Sequence, residues 1–343
     1  MKTFPKISII TCIYKGERII NEYLEYLFKQ DYPFKKIELI LADGGNSKET
    51  LEIIEGYIKK YPKIIKLIKN PMSFKVGKGN GADIASRKAS GEIIFLLDQD
   101  NILIQKNWLK RMVQILMENK DVSAVQSRMA IPNKGSFFDK YLSAIGIEDP
   151  FAIPYSLNSQ ITFNPNKFDY DKKKKIFKYI INKNNFYYAG DNGFAIRKKE
   201  FFENGGYTQD IDNFYRMALS KKKYKIAIPK EIKLYHKTST LFFHFIKKRN
   251  FYIQRYILKN YEERDFYWFN LKKNNFNQNK KFIETILFNL LFVPGVIEGI
   301  KMAIKKRKIF WIIHPFVLFL VTINYIYSFL YAKIVKKEKT INL

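Results

Sequence analysis

Between residues 6 and 129 the chain repeats one pattern: a short run of β-branched apolar residues, then a longer stretch with apolar residues every three or four positions. Strands alternating with helices pair in parallel, because each helix carries the chain back across the sheet before the next strand begins. Brief, nearly continuous Ile- and Val-rich runs predict strands at 6–13, 37–42, 64–68, 92–97 and 122–126. The intervening patterns predict helices at 17–30, 47–60, 81–89 and 107–119, with Pro33 and Pro62 shortly after two of the helix ends.

The pattern loosens from 130 to 187, where Pro, Asn and the run Lys172-Lys173-Lys174-Lys175 predict loops and short helices. It returns as a strand at 193–197, helices at 198–203 and 210–221, and a strand at 224–228. These elements divide the chain into a first domain at 1–237, a basic interfacial helical region at 238–280 and hydrophobic membrane-associated helices at 281–343. Residues 309–332 contain no charged side chain and are long enough to cross a bilayer as a helix. Residues 282–300 are interrupted by Glu284, Asn289, Pro294, Gly295 and Glu298, so the number of spans stays open.

Composition narrows the partners. With 47% apolar residues the chain is not disordered, and a formal charge of +29 calls for anionic company such as lipid, phosphorylated substrate or nucleic acid. A single cysteine, Cys12, rules out an intramolecular disulfide and any cysteine-cluster zinc site, which fits a reducing cytoplasm. The apolar run at 7–13 is short and lacks a cleavage signal, so it is expected to be a strand and not a leader.

The chemistry gathers at strand ends. Ile93-Ile94-Phe95-Leu96-Leu97 runs into Asp98-Gln99-Asp100, two carboxylates one residue apart at the carboxyl end of a buried strand, where open α/β sheets bind ligands. Extended geometry turns both to one side, a hard-oxygen site suited to Mg²⁺ or Mn²⁺ on a diphosphate. A bare Asp-x-Asp is more often a turn or a cap, so its neighbours matter. Asp43 ends another predicted strand before Gly44-Gly45-Asn46-Ser47; Thr11, Tyr14 and Glu17 lie at or just past the end of the first; and Gly77-Lys78-Gly79 precedes a predicted helix that could receive phosphate.

In order and spacing these segments resemble a family 2 glycosyltransferase of the GT-A fold, over about the first 240 residues. The resemblance implies a mixed, mostly parallel α/β sheet flanked by helices, and a nucleotide-sugar donor. It implies donor contacts from Thr11, Tyr14, Glu17, Asp43, Lys78 and Asp98, and a divalent cation, Mg²⁺ or Mn²⁺, held by Asp98, Asp100 and His236. Gly190-Asp191-Asn192-Gly193 with Gly205-Gly206-Tyr207 is similar to the family's acceptor side, where Gly190, Asp191 and Asp212 are placed. Gln209-Asp210-Ile211-Asp212 occupies the position of the family's Glu-Asp pair, which makes Asp210 the general base, with Asp212 as the other choice. Cys12, Lys48 and Gln209 depart from residues frequent in the family, which leaves the nucleotide open.

The expected reaction is an inverting transfer to a hydroxyl of a membrane glycolipid or polyprenyl-linked saccharide in cell-envelope glycan synthesis. The tail would sit on membrane lipid with the catalytic domain in the cytoplasm. Arg249 and Arg255 are candidates for a lipid-linked or donor phosphate. A sugar-phosphate nucleotidyltransferase is the nearest rival, but it would carry a Gly-rich basic loop after the first strand, where Thr11 to Glu17 holds only Gly16. A nucleic-acid-binding protein is the more distant one, since clustered carboxylates oppose a polyanion, and no nucleic acid is expected as a partner.

Overall fold

The computed structural model describes residues 4–70, 79–146, 149–153, 160–183, 185, 190, 192–208, 211–237, 241–253, 264–267, 270 and 272–341. They form two compact units, Met1–Ala130 with Asn166–Lys237, and Ile131–Pro165 with Thr238–Leu343. The strands are β1 (Ile7–Ile13), β2 (Ile37–Asp43), β3 (Ile65–Lys69), β4 (Ile93–Leu96), β5 (Asn101–Ile102), β6 (Val122–Gln126), β7 (Arg128–Met129), β8 (Asp169–Asp171), β9 (Ile176–Ile180), β10 (Phe194–Arg197), β11 (Lys225–Pro229) and β12 (Lys233–His236). The helices are α1 (Ile20–Phe28), α2 (Lys48–Lys60), α3 (Gly79–Arg87), α4 (Trp108–Glu118), α5 (Phe137–Ile145), α6 (Gln160–Phe163), α7 (Lys198–Glu203), α8 (Asp212–Leu219), α9 (Phe242–Tyr252), α10 (Phe276–Leu290), α11 (Val293–Lys306) and α12 (His314–Ile341).

In the first unit the main sheet has the order β3-β2-β1-β4-β10-β6-β11-β9-β8. Its first four strands are parallel, as the alternation of runs and helices predicts, and β10 then enters antiparallel between β4 and β6. The central strands are apolar on both faces, with Ile7, Ile9, Leu39, Ile40, Ile94 and Phe95 all buried. Trp108 of α4 packs on Phe95, ring centroids 5.8 Å apart, and Phe214 of α8 on Phe194 at 5.3 Å. Gly91 lets the start of β4 lie close to β1: a Cβ there would stand 2.6 Å from the carbonyl carbon of Ile7.

Two features differ from the sequence reading. The stretch expected to be loops contains the hairpin β8–β9, which extends the sheet edge, with Lys172 to Lys175 as its turn. A second sheet of order β5-β12-β7 is built from two- to four-residue strands too short to leave a periodic signal.

The second unit is helical. Helix α5 begins with a reciprocal capping box between Ser136 and Asp139 and ends at Gly146 in the left-handed region. Helices α10 and α11, bent by 77° at their junction, are long and apolar enough to cross a membrane only as a broken pair, and among the described residues Ile309–Tyr331 is the one single helix to reach that length and apolarity. That stretch starts as a short 3-10 turn at Ile309–Ile313, and α12 begins at His314 with Pro315 in its first turn, where a missing N–H is tolerated.

Candidate active site

Because β2, β1 and β4 are adjacent and parallel, their carboxyl ends open on one edge of the sheet. Asp43 is the last residue of β2, and its Oδ1 accepts from Gly45 N at 3.0 Å, Asn46 N at 3.0 Å and Asn46 Nδ2 at 2.6 Å. Gly45 adopts φ +97°, a conformation glycine supplies without strain. Asn46 Nδ2 also reaches the Ile13 carbonyl at 2.9 Å, tying the β2 turn to the end of β1. Ser47 then caps α2, accepting from Thr50 N at 3.3 Å. One oxygen of Asp43, Oδ1, thus takes all three of these bonds and shapes the loop.

The Asp98-Gln99-Asp100 segment is fixed by its amide neighbours. Gln99 Oε1 accepts from Tyr14 N at 3.2 Å and Gln99 Nε2 donates to Tyr14 O at 2.7 Å, joining the loops after β1 and β4. The buried Asn101 accepts from Asp98 N at 3.1 Å and donates to Asp100 Oδ1 at 3.2 Å and to Asn192 Oδ1 at 2.8 Å. Neither Gln99 nor Asn101 was singled out from sequence; Gln99 is the middle of the acidic motif, where its amide serves two backbone groups at once, and Asn101, just after the motif, joins one backbone amide to two side-chain oxygens.

Strand β12 delivers the histidine. It pairs antiparallel with β5 so that His236 lies opposite Asn101, and His236 Nε2 comes 3.3 Å from Asp100 Oδ1 while only 3% exposed. Asp100 and His236, two of the three residues expected to act together, are therefore neighbours in the fold. Among the described residues no group of three His, Cys, Asp or Glu is placed to hold a metal ion by itself.

Three of the expected donor residues are placed as follows. Tyr14 sits half-buried in the clamped loop. The Thr11 hydroxyl points into the interior, 2.6 Å from the Tyr23 hydroxyl, and burial together with the Asp98 carboxylate pushes the Tyr23 phenol well above its ordinary value. Thr11 therefore supports the site from beneath. Glu17 lies against the start of α2, where the Ser47 hydroxyl, its own backbone and Thr50 hold its carboxyl below the usual value.

On the acceptor side, Gly190 N donates to Gln126 Oε1 at 3.3 Å, and Gln126 Nε2 donates to Asn192 O at 3.1 Å. Gly193 has φ +87°, and a Cβ there would fall 2.3 Å from Ser127 Oγ. The turn at Gly205 and Gly206 is gripped from α8: Asn213 Nδ2 donates to the carbonyls of Phe201, Asn204 and Gly206, while Arg216 reaches Asn204 O, Gly206 O and Thr208 Oγ1. Asp212, in the first turn of α8, is fully buried. Lys78, Asp191 and Asp210 lie outside the described residues, as does Arg255. Arg249 belongs to the helical unit, where its Nη1 stands 3.6 Å from Asp149 Oδ2.

Comparison with known proteins gives this arrangement a family. A glycosyltransferase of Haemophilus influenzae is 30% identical over 131 residues, 38% of this chain and 39% of its own length. The poly(ribitol-phosphate) beta-N-acetylglucosaminyltransferase TarS of Staphylococcus aureus is 34% identical over 106 residues, 31% of this chain and 18% of TarS. The matched stretch thus spans less than half the length of either relative. In fold, the mannosyltransferase PcManGT of Pyrobaculum calidifontis, solved with GDP-Man and Mn²⁺, superposes with a TM-score of 0.55 at 16% identity, covering 95% of this chain and 88% of that one. TarS 1–349 in complex with UDP superposes with a TM-score of 0.51 at 16% identity, covering 97% and 92%. Residues 8–206, more than half of the sequence and inclusive of the ends of β1, β2 and β4, match the pattern of glycosyl transferase family 2, and the chain is a member of that family.

Proposed function

We propose that this glycosyltransferase moves a hexose from a nucleoside-diphosphate donor to a hydroxyl acceptor with inversion at the anomeric carbon. The observation that supports it most is the grouping of Asp43, Asp98 and Asp100 at one sheet edge, with His236 3.3 Å from Asp100. Asp43 and Tyr14 would receive the nucleoside base, with Glu17 ordering the loop beside them, Lys78 meeting the phosphates and Thr11 bracing the floor through Tyr23.

The donor set fits a divalent cation. Asp100 Oδ1 and His236 Nε2 pair a hard oxygen with a borderline nitrogen, a set that suits Mn²⁺ and admits Mg²⁺, and Asp98, two residues before Asp100, is assigned as a further carboxylate ligand. Diphosphate oxygens and water would complete the coordination. When bound, the cation offsets the charge that gathers on the departing diphosphate.

Asp210 is assigned as the general base, taking the acceptor proton as the hydroxyl oxygen attacks the anomeric carbon from the face opposite the diphosphate. The burial of Asp212 favours this choice, since a carboxylate sealed in the first turn of α8 suits fixing that turn better than meeting an acceptor. Gly190, Asp191 and the neighbouring glycine turn form the acceptor side. The acceptor is assigned as a membrane glycolipid or polyprenyl-linked saccharide, which the apolar helices of the second unit support, and the catalytic unit is assigned to the cytoplasmic side.

The test is nucleoside-diphosphate release from a panel of nucleotide sugars, with Mn²⁺ or Mg²⁺ and with or without lipid extract. Asp210→Asn should lose transfer and keep donor binding. Ordinary turnover in that variant would defeat the base assignment.

A further inference from the structure

Helices α10, α11 and α12 carry outward stripes of large apolar side chains and place small or polar residues at their inner contacts. In a water-facing helix the buried stripe is apolar and the exposed one polar. Here the buried residues of α10 are Asn279, Thr285 and Asn289, while Phe276, Ile283 and Leu287 are exposed. Helix α11 turns Gly295 and Gly299 inward and leaves Val293, Ile297, Ile300 and Ile304 outside. Helix α12 buries Thr322, Asn324 and Ser328 among Val317, Leu318, Val321 and Tyr325, and exposes Phe316, Leu320, Ile323, Tyr327 and Leu330.

The inward polar groups join the helices to each other. Asn289 Nδ2 donates to Thr322 Oγ1 at 2.8 Å, Ser328 Oγ to Asn250 Oδ1 at 3.0 Å, and Asn324 Nδ2 to Ile246 O at 3.4 Å. Gly299 approaches so closely that a Cβ would stand 2.9 Å from Trp311 O. Small residues and hydrogen bonds at helix contacts, with apolar side chains outside, are how helices pack in lipid. The exposed stripes meet where Phe292, at the bend between α10 and α11, packs edge-on to Phe316 with ring centroids 5.0 Å apart.

Charge identifies the lipid, and helix length the mode of insertion. The exposed end of α11 and the turn after it carry Lys301, Lys305, Arg307 and Lys308, and the sequence near the end of α12 has Lys333, Lys336, Lys337 and Lys339. A crossing α12 would send one of these basic clusters through the bilayer, against the tendency of such clusters to remain on the cytoplasmic side. More than half of its apolar stretch is also buried, so the helices covering it would have to cross with it. Helix α9, bonded to it through Asn250 and Ile246, has 11 residues, about 16 Å at the usual rise, and exposes Lys247 and Lys248. A helix that short and that charged does not span a hydrocarbon core.

We infer that the helical unit lies in the plane of one leaflet of an anionic bilayer, with its outward apolar stripes among the acyl chains and both basic clusters at the same headgroup layer. This deepens the membrane part of the proposed function and rests on it.

The experiment uses the full chain and phosphatidylcholine vesicles with or without phosphatidylglycerol. The protein should float with the anionic vesicles. Ile297→Asp, Ile304→Asp and Ile323→Asp, all at exposed positions, should each lower the bound fraction by about tenfold while circular dichroism stays unchanged. In a Cys12→Ser background, Lys301→Cys and Lys336→Cys should both react with a membrane-impermeant maleimide on intact vesicles. A residue 336 protected until lysis would mean a span and overturn the proposal. Failure to float would overturn it too, as would a dimer in light scattering that these aspartates dissolve, since the stripe would then be covered by a second copy. Donor hydrolysis in detergent reads the catalytic assignment separately: protein that floats without releasing nucleotide supports the docking and defeats the catalysis.

Discussion

Gln99 and Tyr14 hold two loops together through a matched pair of hydrogen bonds, Tyr14 N to Gln99 Oε1 at 3.2 Å and Gln99 Nε2 to Tyr14 O at 2.7 Å. A primary amide can donate and accept in one plane, so the middle residue of the acidic motif serves the loop after β1 as a neighbouring strand would. Gln99→Ala should raise the donor KM roughly tenfold with little change in kcat, since two such bonds are worth ~0.5–1.5 kcal/mol each. Gln99→Glu keeps the acceptor but loses the donor, and should do no better than partial rescue. An unchanged donor KM in Gln99→Ala would remove the loop from the binding step.

A second carboxylate holds the opposite end of the sheet. Glu38 is buried, and burial alone would push its carboxyl up, but Lys66, Ser8 and Ser90 outweigh this and bring it down to about 2 from 4.5. A carboxyl depressed by folding stabilises the protein above its unfolded value, and that contribution fades as pH falls from about 4.5 through about 2. The shift corresponds to roughly 3 kcal/mol. Glu38→Gln should therefore lower stability to denaturant at neutral pH, and its deficit from the parent should shrink in acid. A deficit independent of pH would show that packing, not charge, is lost.

Much of this architecture was legible because the parallel strands are buried on both faces: β2, β6 and the helix α7 begin where the apolar pattern places them, and β1 begins within one residue of it. Asp43, Asp98 and Asp100 were readable because they follow such strands directly. The strands of the small sheet were not, because two residues carry no period, so the pairing of His236 with Asn101 was invisible although the histidine itself was suspected. The Gln99 clamp escaped for another reason: a side chain that bonds backbone atoms 85 residues away leaves no mark in local sequence. The outward apolar stripes of α10 to α12 escaped because composition reports how apolar a segment is and not which face is covered.

His236 and Asp100 make a prediction about metal. If they share a cation, His236→Ala should raise the Mn²⁺ concentration needed for half-maximal nucleotide release by about 10- to 100-fold, and excess Mn²⁺ should restore much of the rate. Asp100→Asn should be harder to restore, because the anionic oxygen is lost along with the ligand. A chelator should silence the parent enzyme reversibly. Release that persists in chelator would remove the cation from the mechanism.

Arg216 is predicted to act on the chemical step without touching the donor. Its guanidinium spans Asn204 O at 2.7 Å, Thr208 Oγ1 at 3.1 Å and Gly206 O at 3.3 Å, pinning the turn that leads into Asp210. Gly205 and Gly206 adopt φ of +79° and +66°, so the turn's path is set by this grip and by Asn213. Removing one holder while Asn213 still binds three carbonyls should leave the fold intact and let the base drift. Arg216→Ala should cut kcat by about 10- to 100-fold, because a small misplacement of a reacting group is costly, with the donor KM nearly constant. Arg216→Lys should not rescue it, since a point charge cannot reach three acceptors in fork geometry. A loss confined to the donor KM would place Arg216 with the nucleotide instead, and equal loss of kcat and of thermal stability would reduce it to a structural tie.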